Sequence, residues 1–338
     1  MQKNHLLLAL LAAVGASSAM AQSSVTLYGR VNTTIEQQKD GDVKTNGMYD
    51  NNSRFGFKGV EDLGGGLKAG FQLESGFKSD TGAGSGPSGL TFGRQSEVNL
   101  SGNFGMVRLG NFYPESYYAT ADYVSLHNHN TGSSADALYI DPVWMKTGAT
   151  TAQVGQDRKG LGLGTGNKLA YRTPSFGGFT AEGAVLFHEQ TTGGKYGYDL
   201  AANYGMGPLA LGAGYSNIDG NYQVGLRALY TFGQFTVGGY YQRNKEDILG
   251  SRNNFRLSGM YTLGASEFHA NIGHANKWGN VDDSAATQWT LGYNYNLSKR
   301  TKVYGYYTKI NNGNGANYGV SAAGNNFSSF AAGVRHNF

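Results

Sequence analysis

Apolar and polar positions alternate with a period of two through most of this chain. In Val25-Thr26-Leu27-Tyr28-Gly29-Arg30-Val31, the side chains of Val25, Leu27 and Val31 share one face, and Thr26, Tyr28 and Arg30 share the other. The stretch 67–74 keeps the same rhythm, as do 234–238 and 300–307. Successive side chains of a strand point to opposite faces, so the pattern predicts β-strands with one apolar and one wet face. One such strand fits a soluble sandwich equally well, and the connections discriminate better. Short turn signals stand at 61–66, 102–105, 174–178, 205–208, 232–234, 264–266 and 297–300. Longer polar stretches lie between them, at 36–52, 78–90, 112–166, 189–196, 216–221, 244–252, 274–285 and 311–326. Seven short turns and eight long loops join sixteen strands, and short connections on one side with long ones on the other mark a membrane-spanning barrel.

Most of the predicted strands run about nine to twelve residues, enough for a tilted strand to cross a bilayer core. About sixteen strands enclose water rather than a core filled by side chains. The expected fold is therefore all-β, a 16-stranded antiparallel transmembrane β-barrel. Composition agrees: 53 Gly, 23 Tyr and 17 Phe against only 5 Pro suit tight turns and two-faced strands. A disordered Gly/Asn-rich chain would not alternate, and a solenoid would show a short fixed repeat. No cysteine is present, so stability must come from somewhere other than disulfides. A closed barrel supplies it by pairing every backbone N–H and C=O with a neighbouring strand.

The N-terminus reads differently. Lys3 gives a positive start, Leu6 to Val14 form a short apolar run, and Ala19-Met20-Ala21 is an A-x-A cleavage signal. Residues 1–21 are therefore expected to be a secretory signal peptide cleaved after Ala21, leaving 22–338 as the barrel domain. No apolar run of eighteen residues follows, so no transmembrane helix is predicted. The net charge of +4 is spread without any Lys/Arg block, which argues against nucleic acid as a partner.

Several segments resemble the Gram-negative general porins, in the branch common to beta-proteobacterial and neisserial outer membranes. They are Ser24-Val25-Thr26-Leu27-Tyr28-Gly29, the long run from Ser53-Arg54-Phe55-Gly56-Phe57-Lys58-Gly59 to Leu67-Lys68-Ala69, and Phe92-Gly93-Arg94-Gln95. Pro174-Ser175-Phe176-Gly177-Gly178-Phe179 and the ending Gly333-Val334-Arg335-His336-Asn337-Phe338 complete the set. The resemblance implies an outer-membrane homotrimer with loop 3 folded into the lumen, surrounded by lipid and lipopolysaccharide. It implies passive diffusion of small hydrophilic solutes and anions, and no cofactor.

Loop 3 is also the longest by count, and loops beyond roughly fifteen residues are usually functional or disordered. Its aromatics, from Phe112 to Tyr123, are expected to pack it on the wall, leaving Glu115 and Asp122 as an acidic rim. The Gly-rich 160–166 reads as flexible loop and not as a phosphate cradle, since no strand–helix context surrounds it. Charge at the narrowest point sets ion preference. Parity turns Arg30, Arg54 and Lys58 inward and puts Lys68 and Glu74 in water. The resemblance places a basic wall opposite loop 3, onto which Arg54 and Arg94 map, with Arg30 beside them. Counting from Val98 and Leu100 points Arg94 at lipid, a costly place for a guanidinium, so an inward position after a register shift is expected. Lys168 and Arg172, inward by parity, stand in for an arginine that relatives often carry before the sixth strand; Asn111 likewise stands where an arginine often follows Leu-Gly. The expected consequence is mild anion preference.

Two other functions compete. A barrel hydrolase would need a histidine with an acidic partner and a nucleophile or metal. His127-Asn128-His129 lacks a third ligand at useful spacing and reads as exposed loop histidines, so neither catalysis nor metal is expected. A substrate-specific channel is the closer alternative, but inward Tyr28 alone does not make an aromatic track.

Overall fold

The computed structural model describes residues 24–86, 89–140, 167–188 and 194–338. The predicted signal peptide, the Gly-rich 160–166 and the rest of the second half of loop 3 lie outside them. Successive strands are β1 (Ser24–Asp40), β2 (Val43–Asp50), β3 (Arg54–Gly64), β4 (Leu67–Gly76), β5 (Gln95–Gly102), β6 (Gly105–Asn111), β7 (Lys168–Arg172) and β8 (Phe179–Leu186). They continue with β9 (Gly197–Met206), β10 (Leu209–Ile218), β11 (Asn221–Phe232), β12 (Phe235–Glu246), β13 (Gly250–Leu263) and β14 (Ser266–Ala275). The last are β15 (Ala286–Asn296), β16 (Thr301–Asn312) and β17 (Phe327–Asn337).

Each strand pairs antiparallel with its neighbours in a single sheet. The seventeen segments make sixteen staves, because β2 and β3 are two lengths of one stave. β2 pairs with the far half of β1 and β3 with its near half; the break at 51–53 carries Asn52 at φ 60°. β17 then pairs with β1 from Arg30↔Asn337 to Asp40↔Phe327, and the barrel closes. Beyond the last strand, Phe338 and Gly29 exchange backbone hydrogen bonds of 3.0 and 3.1 Å. Among the described strands every one except β2, which pairs with β1 alone, has a neighbour on both sides, which is what a sheet in hydrocarbon requires.

The seven short turns fall where the sequence puts them, and the one between β3 and β4 is built on Gly64, Gly65 and Gly66 at positive φ. The loops differ more. The polar stretch 36–52 is mostly strand and turns only at Gly41 and Asp42. Ile35 and its cross-strand partner Met48 still face out there while Glu36 is buried, so alternation outlasts the apolar composition that usually betrays a strand. The same extension shortens the connections after β10 and β12.

The core is inverted relative to a soluble protein. Leu257 is 67 % exposed while its neighbour Arg256 is 1 % exposed. Lipid is the solvent for the outer face, and the polar side chains line the interior. Just above the short turns the outer face carries an aromatic band. Phe232–Phe235, Phe235–Tyr261, Tyr261–Phe268 and Phe268–Tyr293 follow one another at ring separations of 5.6, 4.8, 6.3 and 5.2 Å. Such amphipathic rings sit at a membrane interface.

Candidate functional site: a lumen crossed by the third loop

Loop 3 leaves the end of β6 at Phe112, which is fully buried. Two cations clamp its ring: the Arg108 guanidinium at 4.0 Å and the Lys168 ammonium at 5.2 Å from the centroid. The chain then forms a short helix, α1 (Glu115–Thr120), seated on the inner faces of β9, β10 and β11. Glycines make the seat. A Cβ on Gly212 would overlap the Ala119 carbonyl oxygen, and one on Gly225 would come within 2.6 Å of the Thr120 Cβ. The helix backbone can lie against the wall only because those positions have no side chain. Asp199 holds its start, accepting the Ser116 amide at 3.1 Å as well as the Ser116 hydroxyl.

Further along, the loop is stitched to the inward rows of β12, β13 and β15. Asp136 takes the Arg256 guanidinium at 2.7 Å and the amides of Leu138 and Tyr139 at 2.9 and 3.2 Å. Gln242 donates to the Ile140 carbonyl and accepts its amide, at 2.8 and 3.0 Å. Gln288 does the same for Ala135 and Ala137, at 2.9 and 2.8 Å. The ring of His127 is buried at 2.7 Å from the Asn294 side-chain oxygen, and burial pushes its pKa down to about 3. The Ser133 hydroxyl donates to Glu36 of β1 at 2.7 Å. The loop thus lies across the lumen from β9 round to β1, and the free section left to water is narrowed.

A basic arc occupies the wall from β17 through β1 and β3 to the start of β5. Arg30 and Arg54 are register partners on the same inner face. Arg94 and Arg54 flank Glu74, their Nε atoms 2.7 and 3.5 Å from its carboxylate. Arg335 of β17 is close enough to repel both Arg30 and Arg54. Arg54, Arg94 and Arg30 therefore share the Glu74 carboxylate, while the carboxylate acting on Arg335 is that of Glu267. Arg94 reaches this arc from a bend just before β5, so strand parity does not apply to it. Its guanidinium lies 5.6 Å from the Tyr113 ring of loop 3.

The other expected site residues lie elsewhere. Lys168 and Arg172 point inward, but on β7, under the root of loop 3. There Arg172 contacts Glu115 and binds Glu182 at 2.9 Å, while Arg108 binds Glu182 at 3.1 Å and Glu97 at 3.6 Å. Charges of both signs alternate along that sector and cancel. The acidic rim is also corrected. Glu115 is spent on Arg172 and on the Asn203 amide at 3.0 Å. Asp122 is buried against the Ser258 hydroxyl and the Val124 amide. Both are anchors, because a carboxylate beside buried donors is held to them; burial raises the pKa of each. Of the two loop histidines read as exposed, His127 is fully buried and His129 is half-buried against Tyr117 and Tyr123. Among the described residues no group of three metal-ligating side chains converges.

Sequence reasoning missed Arg335 as a wall residue and Asp136, Asp199 and Glu36 as anchors. Arg335 was within reach, since it shares parity with Gly333 and Asn337 opposite outward Val334. The anchors were not, because nothing local says which inward carboxylate meets a loop a hundred residues away.

A closed barrel of sixteen staves, apolar outside, polar inside and crossed by its own longest loop, defines a constricted membrane channel. The model of the Gram-negative porin family matches residues 7–315, and the chain belongs to that family. It is 36% identical over 376 residues to outer membrane porin protein 32 of Delftia acidovorans, covering 100% of both chains. It is 30% identical over 384 residues to an outer membrane porin protein of Bordetella pertussis, covering 90% of this chain and 93% of that one. Among solved structures, the anion-selective porin from Comamonas acidovorans matches with a TM-score of 0.74 at 31% identity, over 94% of this chain and all of that one. OmpT of Vibrio cholerae in its trimer form shares the fold, with a TM-score of 0.67 at 17% identity over 94% and 99%. The protein is an outer-membrane porin, a passive channel.

Proposed function

We propose that this porin passes small hydrophilic solutes with a preference for anions, and that it works as a trimer after removal of residues 1–21. The observation that carries the preference is the arc of Arg30, Arg54, Arg94 and Arg335, in which Glu74 is ion-paired to Arg54 and Arg94 alone. A cluster of one sign in a narrowed, low-dielectric passage raises the local concentration of counter-ions. The neighbouring sector on β5 to β8 adds little to that field, since Arg108 and Arg172 are matched by Glu97, Glu115 and Glu182. The similarity to an anion-selective porin supports the same sign, and membership of the porin family supports the trimer and a transport role without catalysis.

Reversal potentials in a potassium chloride gradient across a planar bilayer test the reading. The wild type is expected to favour chloride, and Arg54→Ala with Arg94→Ala to move the potential toward zero. Clear potassium preference in the wild type, or an unmoved potential in the double variant, would overturn it. Liposome swelling with sugars of graded size is expected to show a size cut-off without preference among sugars.

A further inference from the structure

Tyr118 stands out on α1. It is 39% exposed, whereas its neighbours Tyr117 and Ala119 are buried at 9% and 0%. Two rings hold it edge-on: Tyr117 at 5.2 Å and an interplanar angle of 73°, and Tyr113 at 6.2 Å and 62°. The Tyr118 carbonyl accepts a hydrogen bond from Arg227 Nη1 at 2.9 Å, which ties its backbone to the wall as well. An exposed phenol ring held on two sides and by its backbone is a preformed platform, with little ordering left to oppose a ligand.

The basic arc lies beside this platform. Arg94 is already stacked on Tyr113, and the charges of Arg54, Arg94 and Glu74 all act on Tyr118. Arg54 and Arg94 remain open to a ligand, with 22% and 24% of their side chains exposed. Arg30 is 4% exposed and its unpaired Nε and Nη1 are buried, so it adds positive charge behind them. Glu74 engages Arg54 and Arg94 through their Nε atoms. A guanidinium offers its edge to a carboxylate and its face to a π system, and an aromatic ring prefers edge-to-face or offset contact with another ring. One molecule satisfies both halves when a carboxylate is joined directly to a flat ring.

We propose that the constriction favours planar aromatic carboxylates over aliphatic carboxylates of equal charge and similar size, with Tyr118 as the ring contact and Arg54 and Arg94 as the carboxylate contact. This rests on the anion reading above. The probes are benzoate and cyclohexanecarboxylate, which share a carboxylate and a six-membered ring and differ in planarity and π face. Permeability ratios and single-channel current block would be measured in planar bilayers for the wild type, Tyr118→Leu and Tyr118→Phe. The wild type is expected to favour benzoate by about two- to tenfold, the scale of one good aromatic contact. The ratio should fall to about one in Tyr118→Leu and persist in Tyr118→Phe, which keeps the ring and loses the hydroxyl. Equal treatment of the two acids by the wild type overturns the proposal, as does a ratio unmoved by Tyr118→Leu. If chloride is preferred over potassium in the same experiment, the anion reading survives that failure. If potassium is preferred, the anion reading itself has fallen.

Discussion

Asp136 and Arg256 meet at 2.7 Å where loop 3 crosses β13, with Arg256 fully enclosed and the carboxylate also receiving the Tyr240 hydroxyl. Removing one partner of such a pair leaves the other charge buried and unmatched, at a cost of about 3–5 kcal/mol. Asp136→Asn is therefore expected to loosen loop 3 while the barrel stays closed. Faster hydrogen exchange over 124–140, with unchanged protection of β9 to β17, would show it. His127 makes a second prediction at this scale. Its folded pKa of about 3 lies below the unfolded value, so the docked loop binds fewer protons than the released one. The stability it contributes is whole above pH of about 6.5 and is lost as pH falls toward 3. Lys302 and a protonated His269 oppose a charge at this ring and Glu267 favours one, while the raised carboxyls of Glu115 and Asp122 favour docking in acid. His127→Gln isolates the histidine. Protease protection of the loop should decline between pH 6.5 and 3 in the wild type and much less in the variant.

The seat of α1 is the decisive contact between elements. Gly212, Gly214 and Gly225 read in the sequence as ordinary strand glycines, and period-two reasoning gives no reason for three of them on one inner face. They matter only once a helix from loop 3 lies on them. Gly212→Ala forces a methyl group into the Ala119 carbonyl, and the backbone of β10, paired on both sides, cannot move away. The helix is expected to move instead. Single-channel conductance should then rise, and the aromatic-acid ratio at Tyr118 should shrink with it. A conductance equal to the wild type would show that loop 3 does not limit the flow. By contrast, the turns on Gly64 to Gly66, Gly207 and Gly233 were legible, because a two- or three-residue connection between alternating strands has few other conformations.

For the molecule as a whole, the outer face behaves as a solvent boundary. Leu257 lies near the middle of β13 and points to lipid. Leu257→Arg should cost about 2–4 kcal/mol of folding stability in a bilayer, as a charge at mid-depth does. The check is a denaturant titration in lipid vesicles, compared with the same substitution near the turn at Leu263, where a smaller loss is expected. Closure by β1 and β17 has a different origin from packing: it pairs the first stave with the last, so the barrel forms as one unit or exposes polar groups to hydrocarbon.

By itself the sequence determined the stave count, the inward or outward sense of most side chains, and the presence of a long third loop. Those features are local, since period-two alternation and turn chemistry act over a few residues. Only the tertiary structure decided where the charges ended up. Arg30, Arg54, Arg94 and Arg335 come from four points along the chain and share an arc because the barrel closes between β17 and β1. Arg172 has the same sign and the same inward sense, yet it meets the carboxylates of Glu115 and Glu182, and Lys168 lies over the Phe112 ring with Asp199 as its nearest opposite charge. Glu115 and Asp122 became anchors rather than a rim for the same reason. Parity tells whether a charge faces the lumen, but its partner across the lumen is set by curvature and loop path, which no short window of residues contains.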